Sequence, residues 1–380
     1  MKIFGFLSHL DLNLYLFRAP IMKALLEEGH KVYAICPKGD KNDALLALGC
    51  EVINYDIDRK SLNPFREKQA INSIYDAIKY LHIDILHTFT AKPNIYGTMA
   101  GGKAGIPIIL NLVEGLGSFY TRNTPKNRLI QIVMERLYKK TFLRSQGCVF
   151  VNSSDPAYMV EKKIIDTHKV KIIKSVGVDT AFFSMEYYTH EKILELKKRL
   201  NLENKLIVLM VARAIWDKGV KEYYEAASHL RQKYSDSIFV LVGGVDEGNP
   251  SCVDEAFLQE GSVLWLGHRD DVRDLTAISD IYVLPSYKEG LPVTLLEASS
   301  MAKPIVTTYA TGCKDVVDDG INGFLVPIKD ATTLASKIEV LLQDSRLRTY
   351  MGEAGRQKAI KEFDVKQVVA QYMEYYETFF

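Results

Sequence analysis

A chain of 380 residues exceeds what one ordinary hydrophobic core organises and suits two domains of common size. Hydrophobic residues at 47%, charged residues at 25% and a net charge of +1 exclude a disordered tail, a low-complexity tract and a short-period repeat, and give no sign of a nucleic-acid partner. The five cysteines (Cys36, Cys50, Cys148, Cys252, Cys313) form no CxxC pair, which argues against a disulfide framework or zinc site and fits a reducing cytoplasm.

The first apolar run, 2–7, reads as a buried strand and not as a signal peptide, because no small-residue cleavage site follows it. No later run reaches the ~18 apolar residues of a membrane helix. Residues 21–28 read as a helix, with Pro20 at a permitted first-turn position. A second strand, 31–35, is closed by Pro37-Lys38-Gly39, and a helical stretch, 42–48, stops at Gly49. Strand 51–57, helix 68–81, strand 85–88, helix 94–104 and strand 107–113 follow. Thr124-Pro125 reads as an N-cap with proline at the first helical position. The helix it opens mixes Leu129, Ile130, Val133 and Leu137 with Lys126, Arg128, Arg136, Lys139, Lys140 and Arg144. Such a helix can lie on anionic lipid or pack with a basic solvent face.

The pattern restarts after residue 180. Residues 205–211 are almost pure Ile, Val and Leu, as a strand covered on both faces requires. Helix 222–233 and strand 238–242, ending at Gly243-Gly244, lead to strands 263–266, 281–285, 304–307 and 324–327. Strands separated by helices imply parallel, doubly wound α/β sheets. The expected organisation is a domain at 1–180, a second at 181–364, and a helix at 365–380 that packs back on the first. Two such sheets are expected to face a central cleft, with ligands at the strand carboxyl ends. Charge is unevenly spread: residues 1–176 hold 25 basic and 16 acidic side chains, and the remainder 23 and 31. A basic half beside an acidic half suggests that one domain meets an anionic partner.

The strongest chemical signal is Pro285-Ser286-Tyr287-Lys288-Glu289-Gly290-Leu291-Pro292-Val293-Thr294-Leu295-Leu296-Glu297-Ala298. Glu289 falls on a strand-to-helix loop and Glu297 about one turn into the helix, with a ~3.6-residue repeat. The backbone of 290–293 lies at a helix N-terminus, where anions bind, and carboxylates beside it accept hydroxyl hydrogen bonds well. The second signal is Arg213 with Lys218, a guanidinium fork and a point charge just past strand 205–211, suited to a diphosphate.

With Gly243-Gly244 and Leu266-Gly267-His268-Arg269-Asp270-Asp271-Val272, these stretches resemble the retaining glycosyltransferases of the large GT4 family, over essentially the whole chain. The resemblance implies the GT-B fold, two Rossmann-like domains facing a cleft, with acceptor binding in the first and nucleotide-sugar binding in the second. It also implies that Arg213 and Lys218 hold the donor diphosphate, Glu297 the ribose, and Glu289 with Gly290, Leu291 and Pro292 the transferred sugar. The backbone at Gly267, His268 and Arg269 would flank the base.

Narrower stretches resemble one subgroup: Leu7-Ser8-His9, Arg59-Lys60-Ser61-Leu62-Asn63-Pro64, Val113-Glu114-Gly115-Leu116-Gly117-Ser118-Phe119-Tyr120, Ile173-Lys174-Ser175-Val176-Gly177 and Gly248-Asn249-Pro250-Ser251-Cys252. That subgroup moves GalNAc from UDP-GalNAc in α-1,3 linkage to undecaprenyl-diphosphate-linked diacetylbacillosamine, for bacterial N-linked protein glycosylation. A lipid-linked acceptor and the basic first half lead to the expectation of a peripheral enzyme on the inner face of the cytoplasmic membrane, and the Arg213 and Lys218 pair to that of catalysis without a metal, with Ser8, His9, His87, Gly115 and Gly117 toward the acceptor. Many family members carry a sugar-contacting His where this chain has Glu114, so a carboxylate takes that place. It would accept a sugar hydroxyl, orient the 115–117 loop, or serve the fold alone.

Other signals are weaker. Asp56-Ile57-Asp58 matches a metal-binding DxD tripeptide but trails an early strand, and surface acids are the better reading. His87 ends a strand, facing the cleft or filling the core. Gly101-Gly102-Lys103-Ala104-Gly105 closes a helix and is not a dinucleotide fingerprint, which disfavours a dehydrogenase. A transferase of capsule or O-antigen assembly using another UDP-sugar is the alternative within the family.

Overall fold

The computed structural model describes residues 1–58, 61, 63–120, 124–174 and 176–380. Parts of two subgroup stretches, Arg59, Lys60, Leu62 and Ser175, lie outside the described residues. Contacts divide the chain into two units, Met1–Val176 with Val368–Phe380, and Gly177–Gln367.

The first unit contains strands β1 (Ile3–Leu7), β2 (Lys31–Cys36), β3 (Glu51–Asn54), β4 (Ile85–Phe89), β5 (Ile108–Val113), β6 (Gly147–Phe150) and β7 (Val170–Ile172). They pair in the order β3-β2-β1-β4-β5-β6-β7, every pair parallel. The second contains β8 (Leu206–Val211), β9 (Ser237–Val242), β10 (Leu264–Trp265), β11 (Ile281–Leu284), β12 (Ile305–Thr308) and β13 (Gly323–Val326), in the order β10-β9-β8-β11-β12-β13, again all parallel. Both are Rossmann-like sheets with helices between strands. Each reverses direction once, between β1 and β4 and between β8 and β11, and ligands of such sheets bind outside the strand carboxyl ends at that reversal. In the second sheet the strands that flank it are apolar throughout, with Val208, Leu209, Met210, Ile281, Tyr282 and Val283 all buried.

Two local expectations are corrected. The first helix runs Asp11–Glu27, with Pro20 inside it and not in its first turn. Its buried face is Asp11, Leu14, Arg18, Ile21, Met22 and Leu25. Two charged residues on that face hide the helical period from a hydrophobicity pattern. Strands β6 and β7 escape the sequence reading because they span four and three residues, one of them with two exposed positions.

The chain's last helix, Val365–Glu377, carries Tyr372, Tyr375 and Tyr376 into the first unit, all buried. The Tyr376 ring lies 5.2 Å from Phe4 and 6.4 Å from Phe6. Among the described residues no helix is long and apolar enough to cross a membrane.

Candidate active site

The reversal between β8 and β11 collects the strongest sequence signals. Past β8 the chain makes one 3-10 turn, Trp216–Lys218, and enters helix Val220–Lys233 through Gly219. Gly219 has φ 77°, and a Cβ there would stand 2.1 Å from the Pro285 carbonyl oxygen. Only glycine allows that approach. The turn is therefore pressed onto the β11 loop, where Tyr287 N–H donates to Asp217 O (2.9 Å) and Ser286 Oγ–H to the same oxygen (3.2 Å). This registry brings Lys218 Nζ to 2.5 Å from Glu289 Oε1, both side chains largely buried. The buried Glu222 carboxylate accepts the Tyr287 hydroxyl at 2.8 and 2.9 Å and ties the same loop to the following helix.

Arg213 stands at the end of β8, exposed, with its Nη1 donating to Asp246 Oδ2 at 2.6 Å. Beside it Gly243 passes so close to β8 that a Cβ would meet the Ala212 carbonyl oxygen at 1.8 Å. Its N–H donates to Gly267 O (2.8 Å), which joins the β9 and β10 ends; Gly244 O accepts from Ala214 N–H (3.0 Å). His268 is exposed, and Arg269 is held in a two-pronged pair with Asp271 at 2.8 and 2.5 Å.

Helix Val293–Ser300 starts after Pro292, which has no N–H to offer, so Pro292 cannot join an amide cradle. Leu291, Val293 and Thr294 have N–H groups that no hydrogen bond of the fold uses among the described residues. They form a helix terminus beside Glu289 of the kind at which anions bind. Glu297 lies one turn in, partly buried, and burial pushes its carboxyl up to about 7. No group among the described residues donates a hydrogen bond to it. A carboxylate that has lost water without gaining a partner is poised to accept hydroxyl hydrogens.

In the first unit the reversal lies between β1 and β4, and His9 Nδ1 and Thr90 Oγ1 span it at 2.5 Å. Thr90 has φ 74°, a left-handed conformation that strains a β-branched residue by about 1–3 kcal/mol. Sequence reasoning missed Thr90, since no composition signal marks it. Glu114 closes β5 and pairs with Arg18, whose guanidinium is wholly buried and lies 4.7 Å over the Phe89 ring. Arg18 was also missed, because the sequence reading began this helix only at residue 21. Gly115 and Gly117 follow in an accessible loop.

Two substrate-contact expectations are corrected. His87 is fully buried, ringed by Phe6, Phe89, Tyr372 and Tyr376, and shares a 2.6 Å hydrogen bond with the Tyr376 hydroxyl. Burial, with the Arg18 charge adding to it, holds its pKa well below the usual value, so it is a neutral core residue. Ser8 is also fully buried, its hydroxyl donating to Asn13 Oδ1 at 3.1 Å and its carbonyl accepting from Tyr55 at 2.9 Å.

Helix Pro125–Arg144 is capped by Thr124, which accepts from Asn127 N–H at 3.2 Å. Tyr138, Thr141 and Phe142 form its buried side. Leu129, Ile132, Val133 and Leu143 are exposed, alternating at helical spacing with exposed Arg128, Arg136, Lys139 and Lys140.

Two doubly wound sheets, one ending in a cation and carboxylate set at its reversal, fit the glycosyltransferase class. Residues 6–152 match the family model described as "Glycosyl transferase 4-like", and 192–358 match "Glycosyl transferases group 1". The chain belongs to this glycosyltransferase family and is an enzyme of it. It is 40% identical, over 98% of both chains, to N,N'-diacetylbacillosaminyl-diphospho-undecaprenol alpha-1,3-N-acetylgalactosaminyltransferase of Campylobacter jejuni. It is 25% identical to the UDP-Gal:alpha-D-GlcNAc-diphosphoundecaprenol alpha-1,3-galactosyltransferase of Escherichia coli, over 83% of this chain and 81% of that one. In fold it is similar to a Rickettsia africae glycosyltransferase, with a TM-score of 0.82 at 23% identity, covering 100% of this chain and 98% of the other.

Proposed function

We propose that the enzyme moves GalNAc from UDP-GalNAc, in α-1,3 linkage, to undecaprenyl-diphosphate-linked N,N'-diacetylbacillosamine. The product would be a lipid-linked oligosaccharide intermediate for protein N-glycosylation. The observation that carries the substrates is the 40% identity spread over 98% of both chains. Likeness at this level across both units differs from a shared donor fold alone, which the Escherichia coli relative, with another sugar, also offers.

The site chemistry supports a UDP-sugar donor. Negative charge grows on the diphosphate as the sugar bond breaks. Arg213, Lys218 and the helix terminus at 291–294 supply fixed positive partners for it. Glu297 would accept the ribose hydroxyls. Glu289 would accept hydroxyls of the transferred sugar while keeping Lys218 in place. The backbone near Gly267 would flank the base. An α-linked product from an α-linked nucleotide sugar is retention, and the departing phosphate would itself take the proton of the incoming hydroxyl. Glu114, held by Arg18, would accept a sugar hydroxyl.

A lipid-linked acceptor also calls for a peripheral approach to the membrane. The mixed apolar and basic face of helix Pro125–Arg144 supports docking on anionic lipid, where each well-placed basic residue adds ~1 kcal/mol.

The test is turnover with radiolabelled UDP-GalNAc, UDP-GlcNAc and UDP-Gal on a polyprenyl-diphosphate-linked diacetylbacillosamine acceptor. UDP-GalNAc should be preferred, with an α anomeric signal in the product by NMR. Preference for another UDP-sugar would instead favour capsule or O-antigen assembly.

A further inference from the structure

The subgroup stretch Gly248-Asn249-Pro250-Ser251-Cys252 has no part in the chemistry described so far. It belongs to a loop that leaves β9 and lies along the segment leaving β8. Ala214 bridges Val245 in parallel, and Ile215 bridges Cys252 antiparallel. Val253 N–H donates to Ala214 O (3.0 Å) and Trp216 N–H to Ser251 O (2.7 Å). The Ser251 hydroxyl oxygen accepts from Asp217 N–H at 3.1 Å. The loop thus fastens the backbone on the C-terminal side of Arg213, up to the turn that ends in Lys218.

At its centre is one carboxylate oxygen with two donors. Asp246 Oδ2 accepts from Arg213 Nη1 at 2.6 Å and from Asn249 Nδ2 at 2.8 Å. The other end of the same amide, Asn249 Oδ1, accepts from Ser251 N–H at 2.9 Å. Asn249 therefore closes the loop as an Asx turn with one atom and fixes the direction of Asp246 with the other. Only asparagine or glutamine offers a donor and an acceptor in this fork, and asparagine has the shorter reach that an i to i+2 turn needs. The Arg213–Asp246 pair is solvent-exposed, at 62% and 30%, so it adds little to stability. Its consequence is directional: one guanidinium nitrogen is anchored and the remaining donors of a rigid fork point in a set direction.

We propose that residues 246–252 are a clasp that aims Arg213 at the donor diphosphate, with Asn249 as the positioning residue acting through Asp246. The inference rests on the role of Arg213 given above. A donor already in place need not reorganise as charge grows on the leaving group, so the clasp should act on kcat more than on KM.

Steady-state kinetics of the full chain, with UDP binding by calorimetry and thermal melts, test this. Asn249→Asp keeps the acceptor for Ser251 N–H but sets a second carboxylate against Asp246. Its kcat should fall about tenfold, with donor KM changed less than about threefold and an unaltered melt. Asp246→Ala, which leaves the Asx turn intact, should lose kcat as Asn249→Asp does and decides the matter if the latter fails to fold. Full kcat in Asp246→Ala, or in a folded Asn249→Asp, overturns the clasp. A wild-type chain that binds no UDP, or an Arg213→Ala variant with normal turnover, overturns the underlying role of Arg213 instead.

Discussion

The two cations at the β8 end sit in unlike surroundings, and their variants should differ accordingly. Arg213 is exposed and its removal strands no buried charge. Lys218 is enclosed against Glu289, whose side chain is only 11% exposed, so Lys218→Ala also leaves a desolvated carboxylate behind. Both changes to Ala should lower kcat by about 100-fold, as loss of a preorganised stabiliser does, and Lys218→Ala alone should also lower Tm. With two cations and a helix terminus as stabilisers, turnover should survive EDTA; loss of activity restored by Mn²⁺ or Mg²⁺ would show a required metal. Glu297 gives a pH signature. Burial favours its protonated form and raises its pKa from 4.5 to about 7, so the folded chain loses stability as pH rises between those values. Glu297→Gln should therefore raise Tm at pH 8 and leave it unchanged near pH 4. With Glu297 as the ribose acceptor of the proposed function, donor KM should fall from pH 6 to pH 8 in the wild type, as the stronger, ionised acceptor forms, and stay flat in the variant. Arg213, Lys218, Glu289 and Glu297 were legible because each lies at a fixed step from an apolar strand. Thr90 was not, since a positive φ at a threonine leaves no mark on the sequence pattern.

At the scale of single elements, helix Pro125–Arg144 shows what periodicity leaves open. Its cap was readable from Thr124-Pro125, but which apolar residues face the core was not. Leu137 is partly buried while Leu129, Ile132 and Val133 are exposed, because Tyr138 and Phe142 set the packed side. An apolar row interleaved with basic side chains on one solvent-facing surface is costly in water and suited to a lipid interface. Vesicle co-sedimentation should show binding that requires anionic lipid, weakens with salt beyond a screening length of about 10 Å, and falls when Arg136, Lys139 and Lys140 become Glu. Equal binding to neutral vesicles would remove the electrostatic part of this reading. The first helix shows the opposite failure. Asp11 and Arg18 interrupt its apolar face, so the pattern registers only its second half, although both are buried. Asp11 accepts from the Lys41 N–H at 2.6 Å and Arg18 pairs with Glu114, contacts between segments far apart in sequence.

On the scale of the whole molecule, the chain's path makes the first sheet depend on its last residues. The alternation of strands and helices made two doubly wound sheets legible, yet the strand pattern is silent on where the closing helix contributes its side chains. Val368–Phe380 belongs to the first unit, and its tyrosines supply part of that unit's core. Tyr375 occupies the space above Gly147, where an added Cβ would stand 2.0 Å from its hydroxyl. Tyr376 packs on Phe4 and Phe6 and is the hydrogen-bond partner of His87, which burial keeps neutral. Tyr376→Phe keeps the ring and deletes that partner, leaving a buried ring nitrogen unpaired, and should cost about 2 kcal/mol. Deleting residues 368–380 is far more severe. It uncovers Phe4, Phe6 and His87 together and opens a cavity of several aromatic rings, where loss of even one buried ring costs about 3–5 kcal/mol. That loss is comparable to the whole stability of a domain. The truncated chain should therefore lose the first unit's cooperative transition in thermal melts while Gly177–Gln367 keeps its own. A truncated protein with both transitions intact would mean that the first sheet closes its core without the returning helix.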